Sequence, residues 1–446
     1  MESLSEQPPG RLGTTQWIVL IVACLGFAFD TYEIVILPLV VRPALIELGN
    51  RQPGTGEFNR WVGLLFYVPL AAGGIFGLLG GYLTDRFGRR RVLVWSILLY
   101  GISAFVSGCA SSLVTLLVSR CGAMVGVCVE FVAGVAWVAE LFPNPRQRES
   151  MLGYTQVFSA LGGVLVAVAY YVGVTYGDHL PQIRGGHQGW RYALIFGMAP
   201  AIPLMIIRPF LPESPMWQEK KARDMLKRPR LSELFQPALR KSTIVATFMT
   251  ACSFAASFGA HLHTSRIIPG LPQVRDLPRQ LQEQTVSIVE LYSDLGNFAG
   301  RILFAFLAVR ILGQRRLLRS FLVPGVIIFP LVYLFPARYD LGWFKIGIVL
   351  SVAAMTGQYS FWGNYLPRIY PTHLRGTGKS FATNIGGRVI GTSAALVTTQ
   401  LASIMPGGNP STQLAYAAAT VAFLVYFVAL IASFWLPEPE HRALPE

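Results

Sequence analysis

Apolar residues dominate this chain in long unbroken runs, and short polar stretches rich in Arg, Pro and Gly punctuate them. An α-helix that crosses the hydrocarbon of a bilayer needs ~20 mainly apolar residues. Twelve runs reach that length, at roughly 15–41, 60–83, 91–110, 112–140, 149–176, 190–211, 241–265, 283–309, 316–336, 343–368, 377–404 and 412–436. The runs are continuous rather than alternating, which argues against a membrane β-barrel. The longest break, 212–240, is polar, basic and Pro-containing, and it divides the runs six and six. The pattern predicts an all-α membrane protein with twelve transmembrane helices in two bundles, 1–211 and 241–446, joined by a central loop 212–240.

Composition agrees. Hydrophobic residues make up 53% of the 446 residues and charged residues 13%, against roughly 25% charge in ordinary globular chains. The 28 Phe, 17 Tyr and 9 Trp exclude a disordered chain. Cys24, Cys109, Cys121, Cys128 and Cys252 all lie inside apolar runs without the close pairing of a metal site. The first ten residues lack the basic and apolar regions of a secretory signal.

The net charge of +14 changes the picture only through its distribution. With the N-terminus inside, inner loops and tails hold about 24 Lys and Arg and outer loops about ten, the bias of a plasma (inner) membrane protein with both termini cytoplasmic. The cations form no continuous face interleaved with aromatics, so the expected partners are the lipid bilayer and a small-molecule substrate, not nucleic acid.

The two halves repeat. Asp85-Arg86-Phe87-Gly88-Arg89-Arg90-Arg91 follows the second run and Arg310-Ile311-Leu312-Gly313-Gln314-Arg315-Arg316 the eighth, their glycines 225 positions apart. Leu211-Pro212-Glu213-Ser214 and Leu436-Pro437-Glu438-Pro439 close the sixth and twelfth runs at the same offset. Glu140-Leu141-Phe142-Pro143 and Arg368-Ile369-Tyr370-Pro371 close the fourth and tenth, 228 apart. Three matched loops at nearly one offset mean a duplicated six-helix unit, and an even number of spans gives both copies the same orientation.

Eight charges sit inside the predicted spans: Asp30, Glu33, Arg120, Glu130, Glu290, Asp294, Arg301 and Arg388. Each costs roughly 2.5–3.5 kcal/mol at a helix centre, on the order of 20 kcal/mol together if unpaired, so they must pair or meet water. Asp30 and Glu33, three apart, share a face of span one near the midplane, and Arg120 lies at comparable depth on span four. Arg388 lies about eleven residues into span eleven, again near the midplane. A buried guanidinium fits a carboxylate bidentately; the alternative pairs Arg388 with Asp294. Arg301 reads as structural, while Glu130 and Glu290 have no assignment. Gln156, Gln358, Tyr359, Trp362 and Asn384 are candidates to complete a substrate cavity. Asp85, with Arg86 and Arg89, lies at the inner end of span two, facing the start of span eleven near Thr377 to Ser380. A carboxylate there gains ~0.3–1 kcal/mol from the helix dipole. Arg89 and Glu140 can add an ion pair, so Asp85, Arg86, Arg89 and Glu140 form a candidate inner gate. The alternative is that these arginines only set orientation. Glycine stripes Gly73, Gly77 and Gly81 on span two and Gly387 and Gly391 on span eleven predict close helix approach, as do Gly122 and Gly126 on span four and Gly296 and Gly300 on span eight. His261 and His263 are expected at the solvated outer rim, not as metal ligands.

The stretch Gly81-Tyr82-Leu83-Thr84-Asp85-Arg86-Phe87-Gly88-Arg89-Arg90 resembles the loop 2–3 signature of the major facilitator superfamily. Arg120-Cys121-Gly122-Ala123-Met124-Val125-Gly126 resembles its fourth-helix motif with fewer glycines. Pro212-Glu213-Ser214-Pro215-Met216-Trp217 resembles a stretch of the sugar porters and of the organic-ion and aromatic-acid branches, with Met216 in place of Arg. Tyr365-Leu366-Pro367-Arg368-Ile369-Tyr370-Pro371 resembles their tenth-helix end, with Arg368 where Glu is usual. The resemblance implies the major facilitator fold of two pseudo-symmetric six-helix bundles with a site between them. It implies that Asp30 works with Arg120 in proton coupling, with Glu33 sharing the proton. It also implies that spans two and eleven meet across the halves, and Gly387-Arg388-Val389-Ile390-Gly391 resembles the eleventh-helix arginine stretch of organic-anion and aromatic-acid carriers. Gln156 fits either branch. The expectation is a secondary transporter working as a monomer, with no cofactor and the proton gradient as driving force, carrying an organic anion by symport. Proton-coupled sugar or polyol transport and efflux of amphipathic compounds are alternatives. Motifs of enzyme chemistry, such as Gly-x-Ser-x-Gly or a phosphate-binding glycine loop, are absent from the sequence.

Overall fold

The computed structural model of the chain describes residues 13–141, 145–199, 201–207, 213, 215–222, 230–311, 313–335, 340–371 and 374–438. Within them the chain is a succession of helices joined by short connections. Span one is Thr14–Val35, continued by Leu37–Gly49; span two is Gly56–Phe87, three Arg89–Gly108, four Leu113–Leu141 and five Pro145–Tyr176. Span six comes in two pieces, Gly189–Phe196 and Ala201–Ile207. Span seven is Pro237–Gly259, eight Arg279–Arg310, nine Gln314–Leu334, ten Leu341–Tyr365 and twelve Pro410–Ala432. Span eleven is a succession, Arg375–Phe381, Ala382–Ile390, Gly391–Ser393 and Ala394–Ala402. Among the described residues nine helices are each long and apolar enough to cross a membrane. Spans six, eight and eleven are not among the nine; the first and last are divided, and span eight carries Glu283, Glu290, Asp294 and Arg301. We call the face bearing Gly13 and Glu438 the terminal face and the opposite one the distal face.

The packing repeats as the sequence does. Span one lies on five, two on four, and three on six; correspondingly seven lies on eleven, eight on ten, and nine on twelve. The loop repeats have a shared structural role. The Glu213 carboxylate accepts hydrogen bonds from the backbone N–H groups of Arg89 (3.0 Å) and Arg90 (3.2 Å), the start of span three. The Glu438 carboxylate accepts from those of Gln314 (2.9 Å) and Arg315 (2.8 Å), the start of span nine. A helix start leaves N–H groups without partners and carries positive potential, and a carboxylate satisfies both. Glu213→Ala and Glu438→Ala are each expected to cost about 1–2 kcal/mol of stability. Thermal unfolding of the purified protein measures this; unchanged midpoints would mean these carboxylates do not hold the helix starts.

Spans two, ten and twelve begin at the distal face with side-chain caps, Thr55 on Phe58, Asp340 on Trp343 and Asn409 on Thr412. Span one breaks at Ile36 and restarts with Pro38 in its first turn, because proline lacks the N–H that would continue the ladder. The end of span seven also departs from expectation. After Gly259 the chain forms short helical turns through Gly270 that fold inward, so His261 and His263 are 5% and 0% exposed rather than on a solvated rim. The turns bring His263 between the halves, where it packs on Phe66 of span two.

Polar contacts join the halves at the distal face. Ser265 Oγ donates to Pro38 O (2.6 Å), Arg266 Nη2 to Asn59 Oδ1 (2.7 Å), Gln280 Nε2 to Val174 O (3.0 Å) and Gln284 Nε2 to Thr175 Oγ1 (2.8 Å). The ion pair at the terminal face, Arg89 to Glu140 (2.8 Å), joins two spans of the same half. Among the described residues these hydrogen bonds fasten the halves at the distal side.

Candidate functional site

Spans two, four and eleven approach within backbone contact near mid-depth. A Cβ on Gly73 would lie 2.8 Å from Cys128 Sγ of span four, and one on Gly77 would lie 3.1 Å from Asn384 Oδ1 of span eleven. A Cβ on Gly74 would lie 2.9 Å from the Asn384 carbonyl oxygen. Only residues without side chains fit between these helices. Gly387 and Gly391 differ from expectation: they face Phe254 and Ala251 of span seven, within the second half, and Asn384 and Arg388 present the face that meets span two. Gly122 and Gly126 lie against span three, and Gly296 and Gly300 against span ten, all packing within one half.

The reason for that face of span eleven is local. Ala382–Ile390 forms a π-helix, which widens the turn and rotates the residues after it relative to an α-helix. Such stretches are rare and concentrate at functional sites. Arg388, 8% exposed, sits in it. Its Nη1 donates to Asn384 Oδ1 (2.6 Å), and Asn384 Nδ2 donates to Ser380 Oγ (3.0 Å). Among the described residues no carboxylate forms an ion pair with Arg388. Asp294, the alternative partner, lies elsewhere. It is 3% exposed, accepts from Asn297 Nδ2 (3.3 Å) and rests against Gly163 of span five. Glu290 is one turn before it on the same helix.

The acid–base pair of the first half is not the expected one. Arg120 pairs with Glu33, not with Asp30: Nη1 to Oε2 is 2.5 Å, and Nη2 donates to the Glu33 backbone oxygen. Both side chains are essentially inaccessible, at 1% and 0%. Antiparallel register explains the correction. Phe27 packs on Phe131 with the rings tilted at 51°, which sets the level of span one against span four. From there, at 1.5 Å per residue, Arg120 lies ~16 Å along span four, Asp30 ~4.5 Å and Glu33 ~9 Å along span one. The long arginine side chain closes the gap to Glu33 but not to Asp30. Asp30 is buried at 3%.

Gln358, Tyr359 and Trp362 of span ten converge on Ser253 of span seven. Ser253 Oγ donates to Gln358 Oε1 (3.0 Å), Trp362 Nε1 donates to Ser253 Oγ (2.8 Å), and the Tyr359 hydroxyl donates to the Ser253 carbonyl (3.3 Å). These contacts tie spans ten and seven together. Ser253 gave no sign of this in sequence, being one serine in an apolar run. At the terminal face Arg89 pairs with Glu140 as expected and also donates to Thr84 O (3.2 Å). Arg86 is exposed and donates to Tyr82, so it takes no part in that pair. The side chains of Asp85 and Gln156 lie outside the described residues. Glu130 is fully buried on span four, and Arg301 is half-buried on span eight.

Residues 17–395 match the profile of the Major Facilitator Superfamily. The chain belongs to that superfamily. This major facilitator is a membrane transporter of small molecules, not an enzyme. It is 26% identical over 437 residues to a probable 4-methylmuconolactone transporter of Cupriavidus pinatubonensis, covering 97% of this chain and 94% of that one. It is 24% identical over 391 residues to a cis,cis-muconate transport protein of Acinetobacter baylyi, covering 86% and 87%. The crystal structure of a D-xylose-proton symporter superposes with a TM-score of 0.73 at 17% identity, over 96% of this chain and 99% of that one. That likeness establishes the shared fold of twelve helices in two six-helix bundles. The expected all-α architecture of this major facilitator therefore stands.

Proposed function

We propose that this transporter moves a small organic anion, a carboxylate, by proton symport. The observation that carries the reading is Arg388. A guanidinium buried at mid-depth, held in orientation by Asn384 and without a carboxylate partner among the described residues, is a cation awaiting an anion. Its planar fork matches a carboxylate in charge and geometry. The relatives named for muconate and 4-methylmuconolactone support this class of substrate. Efflux of amphipathic compounds has no observation in its favour.

Asp30 is the proposed proton carrier, and Glu33 with Arg120 is a fixed tie between spans one and four. An anion on Arg388 cancels the guanidinium charge, and a proton on Asp30 then leaves both buried groups neutral. A neutral site crosses between faces without carrying net charge through the hydrocarbon, where an uncompensated charge is costly. Alternation follows from two bundles fastened at one face and sliding on the glycine contacts of span two. Asp85, at the end of span two, would close the terminal face on the start of span eleven in the opposite state, beside the Arg89–Glu140 pair of its own half. We infer that the terminal face is cytoplasmic in a plasma (inner) membrane, from the excess of Lys and Arg in its loops. We further infer that the monomer suffices and that the proton gradient, with no cofactor, drives transport.

Asp30→Asn reconstituted in vesicles is expected to lose at least about tenfold in uptake of cis,cis-muconate driven by an inward pH step, because the proton site is gone. Exchange of labelled for unlabelled muconate should persist. Unaltered pH dependence in the variant would remove Asp30 from the coupling.

A further inference from the structure

A second cationic site lies at the distal face, between the two halves. A cavity of about 270 Å³ opens there, lined by Arg42, Phe58 and Asn59 from the first half and by Arg266, Arg275 and Ser411 from the second. Among the described residues no carboxylate lines it. Arg266 is 8% exposed. Its guanidinium donates to Asn59 Oδ1 (2.7 Å) and to His263 Nδ1 (3.3 Å) and lies 5.5 Å from the Phe58 ring centre, and its Nε is buried without a partner. None of those partners is negative. Arg42 makes one long hydrogen bond, to Gln282 Oε1 (3.4 Å). The nearby Glu283 carboxylate is already held by Arg279 at 2.9 Å. Arg275 pairs with Asp276, but that pair is exposed to water at 60% and 80% and screened. Arg266 is thus buried without a compensating charge of its own, and Arg42 has to share the nearby Glu283 carboxylate with Arg279.

Burying a guanidinium against neutral partners is unfavourable unless an anion completes the site. We propose that this cavity is an anion-binding site that receives the carboxylate of the substrate at the distal face, between Arg42 and Arg266, before the substrate reaches Arg388. The inference rests on the organic-anion reading above. Because Arg42 and Arg266 come from different halves, an anion seated between them bridges the halves at the face where this structure is fastened. Arrival and departure of the anion are then linked to opening of that face.

Equilibrium binding of radiolabelled cis,cis-muconate and benzoate to the purified full-length protein tests this. The wild type should bind two anions per chain and Arg388→Gln one. Adding Arg42→Gln to Arg388→Gln should weaken the remaining site about tenfold, the contribution of one charge-assisted contact. Arg266→Lys, which keeps the charge and spares folding, should weaken it less than Arg266→Gln. Loss of all binding in Arg388→Gln, or equal binding with and without Arg42→Gln, would overturn the distal site. The failure of the central reading looks different. Wild type and Arg388→Gln would then bind the same single anion, and Arg42→Gln alone would weaken it, leaving the distal site standing.

Discussion

Arg388→Gln should reduce carboxylate uptake at least about a hundredfold, because two charge-assisted hydrogen bonds at about 1.5–3 kcal/mol each are lost from a buried site. Arg388→Lys should recover little of it, since an ammonium keeps the charge but not the planar fork. The protein itself should fold normally. Arg388 holds no ion pair among the described residues, so its removal orphans no buried carboxylate there, and it frees only the Asn384 oxygen. Uptake of labelled cis,cis-muconate and of D-xylose into vesicles, normalised to inserted protein, is the measurement. If Arg388→Gln matches the wild type with muconate, or if xylose alone is carried and the substitution leaves it untouched, the anion reading is lost.

Glu33→Gln should destabilise the protein by about 3–5 kcal/mol, the usual consequence of removing one partner from a buried ion pair. Arg120 would remain 1% exposed with only the Glu33 backbone oxygen and the amide to satisfy it. Arg120→Gln strands the Glu33 carboxylate in the same way. The double variant Glu33→Gln/Arg120→Gln should recover much of the loss, because no charge is then left alone in the interior. Thermal unfolding of the three purified variants reads this directly, and the non-additivity is the diagnostic part. A Glu33→Gln protein that unfolds with the wild type, yet has lost proton-driven uptake, would move the coupling role from Asp30 to Glu33.

The spans were readable because a bilayer admits only backbone that satisfies its own hydrogen bonds. A run of apolar residues of the right length therefore carries nearly all the information needed, and the 225-residue repeat supplies the rest. The structure bears out the repeat in detail, down to Glu213 and Glu438 capping equivalent helix starts. The charges at mid-depth were equally plain, since each is conspicuous in an apolar run. Their pairing was less so. Asp30 and Glu33 differ by one helical turn, and the choice between them as partner of Arg120 depends on how far span four is shifted along span one. That shift is set by ring packing such as Phe27 on Phe131, which leaves no periodic trace. The buried histidines escaped for a similar reason: nothing in the order of residues distinguishes an apolar end that leaves the membrane from one that folds back under its neighbours.

Length and composition thus dictated that this chain spans a membrane twelve times in two related halves, because hydrocarbon penalises any alternative by several kcal/mol per polar group. They also named the cation of span eleven. Which carboxylate neutralises which guanidinium emerged from helix register, and the face that Arg388 presents emerged from the π-helical turn at Ala382–Ile390. Those are matters of ångströms between helices distant in sequence, and Coulomb energies in a medium of low dielectric change steeply over such distances.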